Sequence, residues 1–236
     1  MHRDSFRSAF SAVFHAAVAL VVLTGSAAAQ LPAAPVLQNA WATPGIVAAV
    51  NVAGASNNSI YAAAASWGAS RFQISGGIGV PSRSGTAVGT GSKTAYGVRV
   101  AVPFGGASSA FGFAAFAGIG GTSGSGVKVA DTLGIPAAAD SVPWTTEVPL
   151  GVSIGWRRAI GSNHGLSVYA TPAYINYSGG SRSSGLFRVG LGADFGITSS
   201  IGATVGADFG GTRPSRLGGP SSTQFGAGVS YAFGRR

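Results

Sequence analysis

From Gly45 onward the chain sets apolar residues at every second position, the period of a β-strand with one oily face. The alternation is cleanest near the C-terminus. Phe187, Val189, Leu191, Ala193, Phe195 and Ile197 alternate with Arg188, Gly190, Gly192, Asp194 and Gly196. Ile201, Ala203, Val205, Ala207 and Phe209 do so with Gly202, Thr204, Gly206, Asp208 and Gly210, and Phe225, Ala227, Val229, Tyr231 and Phe233 with Gln224, Gly226, Gly228, Ser230 and Ala232. Earlier, Tyr96, Val98, Val100, Val102 and Phe104 oppose Arg99, while Val148, Leu150, Val152, Ile154 and Trp156 oppose Glu147 and Arg157. Phe111, Phe113, Ala115, Ala117 and Ile119 form another apolar set, as do Phe72, Ile74, Ile78 and Val80. These runs predict ten strands, at roughly 45–56, 59–67, 70–81, 94–105, 108–121, 145–158, 165–178, 185–198, 201–211 and 223–234, the Ala-rich second having the weakest pattern.

Alternation fits a soluble β-sandwich as well as a membrane barrel. Three features favour the barrel. The second face carries mostly Gly, Ala and Ser, poor dressing for a sheet in water. Tyr96 and Phe104, Tyr169 and Tyr177, Phe187 and Phe195, and Phe225 and Phe233 are each eight residues apart. At about 3.3 Å per residue and a tilt of about 40°, that spacing spans about 20 Å, close to the apolar band of about 25 Å between the aromatic girdles of outer-membrane barrels. Trp156 and Phe209 join those pairs as girdle candidates. Finally, if the chain enters from the periplasm, the longest connections (82–93, 122–144 and 212–222) all fall on the opposite side, and Gly68–Ala69, Gly106–Ala107 and Ser199–Ser200 are short periplasmic turns. The two-residue first connection, Asn57–Asn58, is the exception.

The N-terminus has a different texture. His2, Arg3 and Arg7 precede an apolar run from Val13 to Leu23, broken only by His15, and Ala27–Ala29 supplies small residues for cleavage before Gln30. This is the pattern of a secretory signal peptide over residues 1–29, and the run is far short of the ~20 apolar residues of a spanning helix. Residues 30–44 read as a Pro/Ala-rich tether, with Trp41 available to a membrane interface. Composition agrees with export. The 236 residues include 39 glycines and are 46% hydrophobic and 9% charged, which argues against an ordinary helical cytosolic domain. The absence of cysteine excludes disulfides and thiolate metal sites.

With these features the chain resembles the small bacterial outer-membrane β-barrel proteins, the OmpA-like, OmpX-like and opacity-type group. The resemblance covers about residues 45–234 and is strongest in Phe225-Gly-Ala-Gly-Val-Ser-Tyr-Ala-Phe233. It implies a closed antiparallel up-and-down transmembrane barrel of eight to ten strands, ten favoured, in the outer membrane of a Gram-negative cell. It also implies that Val229, Tyr231 and Phe233 belong to a C-terminal signal read by the barrel-assembly machinery, although the chain continues with Gly234-Arg235-Arg236. Three residues after Phe233 leave no room for the periplasmic peptidoglycan-binding domain of full OmpA-like proteins.

The inward face of such a barrel would hold Arg71, Arg99, Glu147, Arg157, Arg188, Asp194 and Asp208. Charges withdrawn from bulk water need partners, so a salt-bridged lumen plug is one reading. The other is a cation-lined constriction favouring anions, with inward Gly190, Gly192, Gly196, Gly202, Gly206, Gly226 and Gly228 leaving a narrow passage. The glycines also suit a tightly curved wall. Catalysis is not expected. After the signal segment only His164 remains as a proton shuttle, in a predicted periplasmic turn, and Asp194 and Asp208 lack a nucleophile and are better placed to pair with Arg188. Gly118-Ile119-Gly120-Gly121 lacks the Lys of a phosphate loop, and neither a metal nor a cofactor is expected.

The net charge of +9 drops by one without Arg3, Asp4 and Arg7. Export argues against a nucleic-acid partner. Arg83, Lys93, Lys128, Arg182, Arg213 and Arg216 instead enrich the predicted external loops over Asp131 and Asp140, where they would meet the anionic sugars and phosphates of lipopolysaccharide or a host surface. The sequence therefore predicts an outer-membrane barrel with a structural or surface-interaction role, contacting outer-membrane lipid and lipopolysaccharide. A narrow, porin-like pore for small solutes and a soluble secreted or periplasmic β-sandwich are the alternatives.

Overall fold

The structure, a computed structural model, describes residues 39–55, 58–69, 71–83, 94–104, 109–122, 126–127, 140–141, 145–161, 164–179, 182–210 and 223–233. The first five strands are β1 (Gly45–Ala55), β2 (Asn58–Ala69), β3 (Phe72–Arg83), β4 (Ala95–Phe104) and β5 (Phe111–Thr122). Two short ones follow, β6 (Gly126–Val127) and β7 (Asp140–Ser141), and pair only with each other. The rest are β8 (Thr145–Ile160), β9 (His164–Gly179), β10 (Arg182–Gly196), β11 (Ile201–Gly210) and β12 (Thr223–Phe233).

Apart from β6 and β7, every strand pairs antiparallel with its sequence neighbour, and β1 closes the circle against β12 from Ile46↔Phe233 to Gly54↔Phe225. The result is a closed ten-stranded up-and-down barrel. The weakly patterned β2 is a full strand, paired residue for residue with β1 and β3. Backbone pairing carries it, so its side chains can remain small. At one end of the barrel β1, β3, β5, β9 and β11 finish and β2, β4, β8, β10 and β12 begin, and the longest stretches of sequence separate strands there; this is the long-loop end. The other is the short-turn end, where β1 starts and β12 finishes.

The alternation sorts into an oily outside and a packed inside. Phe111 (71% exposed), Phe187 (59%), Ile78 (57%) and Phe233 (52%) face out, whereas Arg188 (1%), Glu147 (2%) and Arg99 (4%) face in. Aromatic rings concentrate near both rims. At the short-turn end Trp67 meets Phe72 (centroids 5.2 Å apart), Phe104 meets Phe113 (5.6 Å) and Tyr231 meets Phe233 (4.9 Å). Tyr61, Tyr174, Phe187 and Phe209 are exposed on the outside towards the other end. Tyr96, Trp156, Phe195 and Phe225 lie on the outward alternation, partly covered by their neighbours.

Tyr169 and Tyr177 correct the expected girdle: both point inward, 6% and 0% exposed. The outward set of β9 is Val168, Ala170, Pro172, Tyr174 and Asn176, in register with Leu150 and Phe187 through Tyr174. An eight-residue spacing keeps two residues on the same face but is silent about which face that is. Tyr169 is accommodated because its cross-strand partner is Gly192, where a Cβ would come within 2.5 Å of ring atom Cε2.

A second glycine is similarly committed. A Cβ on Gly151 would lie 2.5 Å from the Pro172 carbonyl oxygen and 2.7 Å from Phe116 Cζ. Gly151→Ala therefore overpacks the wall, at a cost of about 1–3 kcal/mol. Its expected signature is a lower midpoint for the heat-dependent change in SDS mobility of the folded barrel, without loss of the folded form at room temperature.

Candidate functional site in the barrel lumen

Inward side chains line the lumen in successive layers. At the short-turn end the chain itself enters: residues 39–43 lie inside the mouth, and Ala40 is 1% exposed. Trp41 fits against Gly112 and Gly155, where a Cβ would meet the indole at 2.6 Å (Nε1) and 2.8 Å (Cη2) respectively. The Arg157 guanidinium covers the indole at 4.9 Å and donates from Nε to the Ser109 carbonyl at 3.1 Å. Thr43 N–H donates to Gln73 Oε1 at 3.3 Å. Gly45, with φ of +89°, lets the chain turn from the lumen into the wall. Trp41 thus sits inside the barrel rather than at a membrane interface.

Asp194 fastens this segment. Its carboxylate accepts from Asn39 Nδ2 (3.2 Å), Ser167 Oγ (3.2 Å) and Thr204 Oγ1 (2.6 Å), so the N-terminal segment is tied to β9, β10 and β11. Around it opens a vestibule of about 730 Å³ at the short-turn end, lined mostly by hydroxyl, amide and glycine positions. His164 begins β9 at this rim, with Nδ1 3.3 Å from the Gly196 carbonyl oxygen and its ring stacked 6.2 Å from Phe195.

Further in, Arg99 lies over the Phe116 ring, with its guanidinium carbon 4.0 Å from the ring centroid, and donates to Ser153 Oγ at 3.0 Å. Beyond it, Arg188 donates from Nε to Asp208 Oδ2 at 3.0 Å, and the pair is 1% and 17% exposed. These groups, with Glu147, Tyr169 and Gln224, surround an inner cavity of only about 70 Å³. Its opposite wall is small: Gly190, Gly206 and Gly226 give the large side chains of β4, β5 and β9 somewhere to reach.

The predicted lumen residues therefore divide. Arg99, Glu147 and Arg188 are buried inside, Asp208 is paired with Arg188, and Arg157 and Asp194 stand at the vestibule. Asp194 and Asp208 do not act as a pair, and Asp194 is held by hydroxyl and amide donors instead of Arg188. Arg71 is a correction: it occupies the turn between β2 and β3 and is exposed, because β3 starts one residue later at Phe72. Arg83 and Arg182 are terminal residues of β3 and β10, and Asp140 belongs to β7. Lys93, Lys128, Asp131, Arg213 and Arg216 lie outside the described residues. Val229, Tyr231 and Phe233 face outward on β12, 49%, 48% and 52% exposed.

Several lumen groups escape the alternation reading. Phe116 carries a usable signal, since it breaks the phase of Phe111, Phe113 and Ile119. Asn39 and Asp194, by contrast, are 155 residues apart, and nothing local links them. Among the described residues no group of three His, Cys, Asp or Glu side chains could hold a metal ion.

The buried ion pair has a measurable consequence. Arg188→Ala leaves Asp208 without its countercharge and is expected to cost about 3–5 kcal/mol, whereas replacing both partners by apolar residues costs much less. A double-mutant cycle on the thermal midpoint of the folded form, using Arg188→Leu and Asp208→Leu, reads this as strong coupling.

The barrel has structural counterparts. It is similar to the β domain of the Bordetella autotransporter BrkA, with a TM-score of 0.50 and 14% identity over 80% of this chain and 98% of that one. It is also similar to the N-terminal β-barrel domain of Pseudomonas aeruginosa OprF, with a TM-score of 0.34 and 10% identity over 80% and 96% of the two chains. The KdgM porin, solved in complex with disordered oligogalacturonate, has a TM-score of 0.41 and 9% identity over 79% and 99%. No curated protein matches the sequence. The model of the outer membrane protein β-barrel domain matches residues 55–233, and with its closed ten-stranded wall and outward apolar face the chain belongs to this family of outer-membrane β-barrel proteins.

Proposed function

We propose that the protein is a sealed outer-membrane barrel with a structural and surface-interaction role, and that it performs no catalysis. The observation that carries this reading is the Arg188–Asp208 ion pair, with Arg188 1% exposed beside an inner cavity of about 70 Å³. A conducting pore needs a continuous file of water, and the withdrawal of a charged pair from water beside so small a cavity supports a plugged section at that level. The polar lumen then serves to fix the wall: Asp194 ties β9, β10 and β11 to Asn39, and Arg99 links β4 to β8 through Ser153.

In this reading residues 1–29 direct export and are removed before Gln30, and Val229, Tyr231 and Phe233 present the alternating C-terminal signal to the barrel-assembly machinery. Basic residues assigned to the external end, such as Arg213 and Arg216, provide contacts to anionic lipopolysaccharide.

A narrow solute pore is the second reading, favoured by the glycine wall of Gly190, Gly206 and Gly226 and by the wide vestibule below. Single-channel recording in planar bilayers separates the two. A sealed lumen gives no steady conductance for the wild-type chain, and Arg99→Ala leaves that baseline silent. Stable wild-type openings whose size or anion preference changes in Arg99→Ala or Arg188→Ala would establish the pore instead.

A further inference from the structure

Residues 39–43 cross the whole short-turn mouth. Asn39 is held by Asp194 on β10, Trp41 by Gly112 on β5 and by Gly155 and Arg157 on β8, and Thr43 by Gln73 on β3. In the ring of ten wall strands β10 and β3 stand five places apart, so the segment spans a diameter of the barrel. It is also a unit of its own, because the Asn39 side-chain oxygen accepts from the Trp41 backbone N–H at 3.3 Å.

For such a span the hold on the wall is slight. None of the five residues is charged. The hydrogen bonds from Asn39 Nδ2 to Asp194 Oδ2 (3.2 Å) and from Thr43 N–H to Gln73 Oε1 (3.3 Å) are long for N–H donors. The Trp41 indole N–H is buried without a hydrogen-bond partner among the described residues, which counts against this seat. The charged wall groups, by contrast, have partners that do not depend on the segment. Asp194 also accepts from Ser167 Oγ and Thr204 Oγ1, and Arg157 Nε donates to the Ser109 carbonyl. The joint between segment and wall is suited to turning: Pro44 is exposed, and Gly45 holds a φ of +89° that glycine adopts at little cost.

A second seat lies within reach of Trp41, which is four residues before Gly45, or about 14 Å of extended chain. Gly45 pairs with Gly68, and Ile46 pairs with Trp67 on one side and Phe233 on the other. The chain therefore enters the wall between two outward ring pairs, Trp67–Phe72 and Tyr231–Phe233. An indole at that rim keeps its ring among aromatics at the membrane boundary while its N–H reaches water, which satisfies the donor left unpaired inside.

We infer that residues 39–43 are a releasable strap. Docked, they cross the lumen at its short-turn mouth; released, they swing about Pro44–Gly45, seat Trp41 on the outer aromatic rim and open the vestibule of about 730 Å³ to the periplasm, which the short turns of such barrels face. The inference goes beyond the sealed or conducting state of the inner lumen and depends on neither.

The test uses the full folded chain. It has no cysteine, so Ala40→Cys supplies a single thiol at a position 1% exposed. In detergent, the rate at which this thiol reacts with a water-soluble maleimide follows the released fraction. Asn39→Ala removes the tie to Asp194 while leaving the indole slot intact, and is expected to speed the reaction roughly tenfold. The temperature at which SDS mobility changes should stay the same. An unchanged rate would overturn the strap, and so would a faster rate matched by a fall in that temperature, since that marks loosening of the whole barrel. The outer seat is read in vesicles from a chain carrying Trp67→Phe, Trp144→Phe and Trp156→Phe, in which Trp41 is the remaining tryptophan. Adding Asn39→Ala should make its fluorescence sensitive to lipid brominated near the headgroup, and sensitivity to aqueous acrylamide alone would overturn that seat. If the triply substituted chain does not refold, the thiol measurement, which keeps every tryptophan, decides for or against the strap. Bilayer conductance, which tests the sealed lumen, enters neither readout.

Discussion

Inside a bilayer no water is present to satisfy a backbone N–H or C=O, so each must find its partner within the sheet. Nine register pairs between β1 and β12, from Ile46↔Phe233 to Gly54↔Phe225, meet that demand by joining the first strand to the last. Closure removes both sheet edges and fixes which way every residue faces. The exposed apolar set, from Ile46 to Phe233, is then the outer belt, and everything of opposite phase is committed to the lumen.

The lumen solves a second problem created by the first. A ten-stranded wall encloses more space than its own small residues fill, and the filling is uneven. Phe116, Arg99, Tyr169 and Tyr177 supply bulk from one side, and glycines on β10, β11 and β12 receive it. Charge is admitted only with partners: Asp208 holds Arg188, Ser153 and the Phe116 face hold Arg99, and hydroxyl and amide donors hold Asp194. The N-terminal segment completes the packing, with Trp41 against Gly112 and Gly155 and Arg157 laid over it.

Much of this was legible in the residues. Period-two runs marked all ten wall strands, and the phase of Phe187, Leu191 and Phe195 against Arg188 and Asp194 assigned the two faces of β10. The sequence was less informative where both phases carry large residues. On β9, Tyr169 and Tyr177 alternate with Val168 and Tyr174, and hydropathy alone does not choose between them. The deciding facts are non-local: Gly192 opposite Tyr169 and the alignment of Tyr174 with Leu150 and Phe187. The Asn39–Asp194 contact was likewise invisible, because only closure of the barrel brings the N-terminal segment against β10.

The most direct test of this in-and-out assignment is a single-cysteine scan of β9 from residue 166 to residue 177, practicable because the chain has no cysteine of its own. A probe on each cysteine would be challenged with a lipid-soluble and a water-soluble quencher. The lipid-soluble quencher should act at 168, 170, 172, 174 and 176 and spare 169, 171, 173, 175 and 177. The opposite phase, or quenching without a two-residue period, would contradict both the inward placement of the tyrosines and the packed lumen built on it.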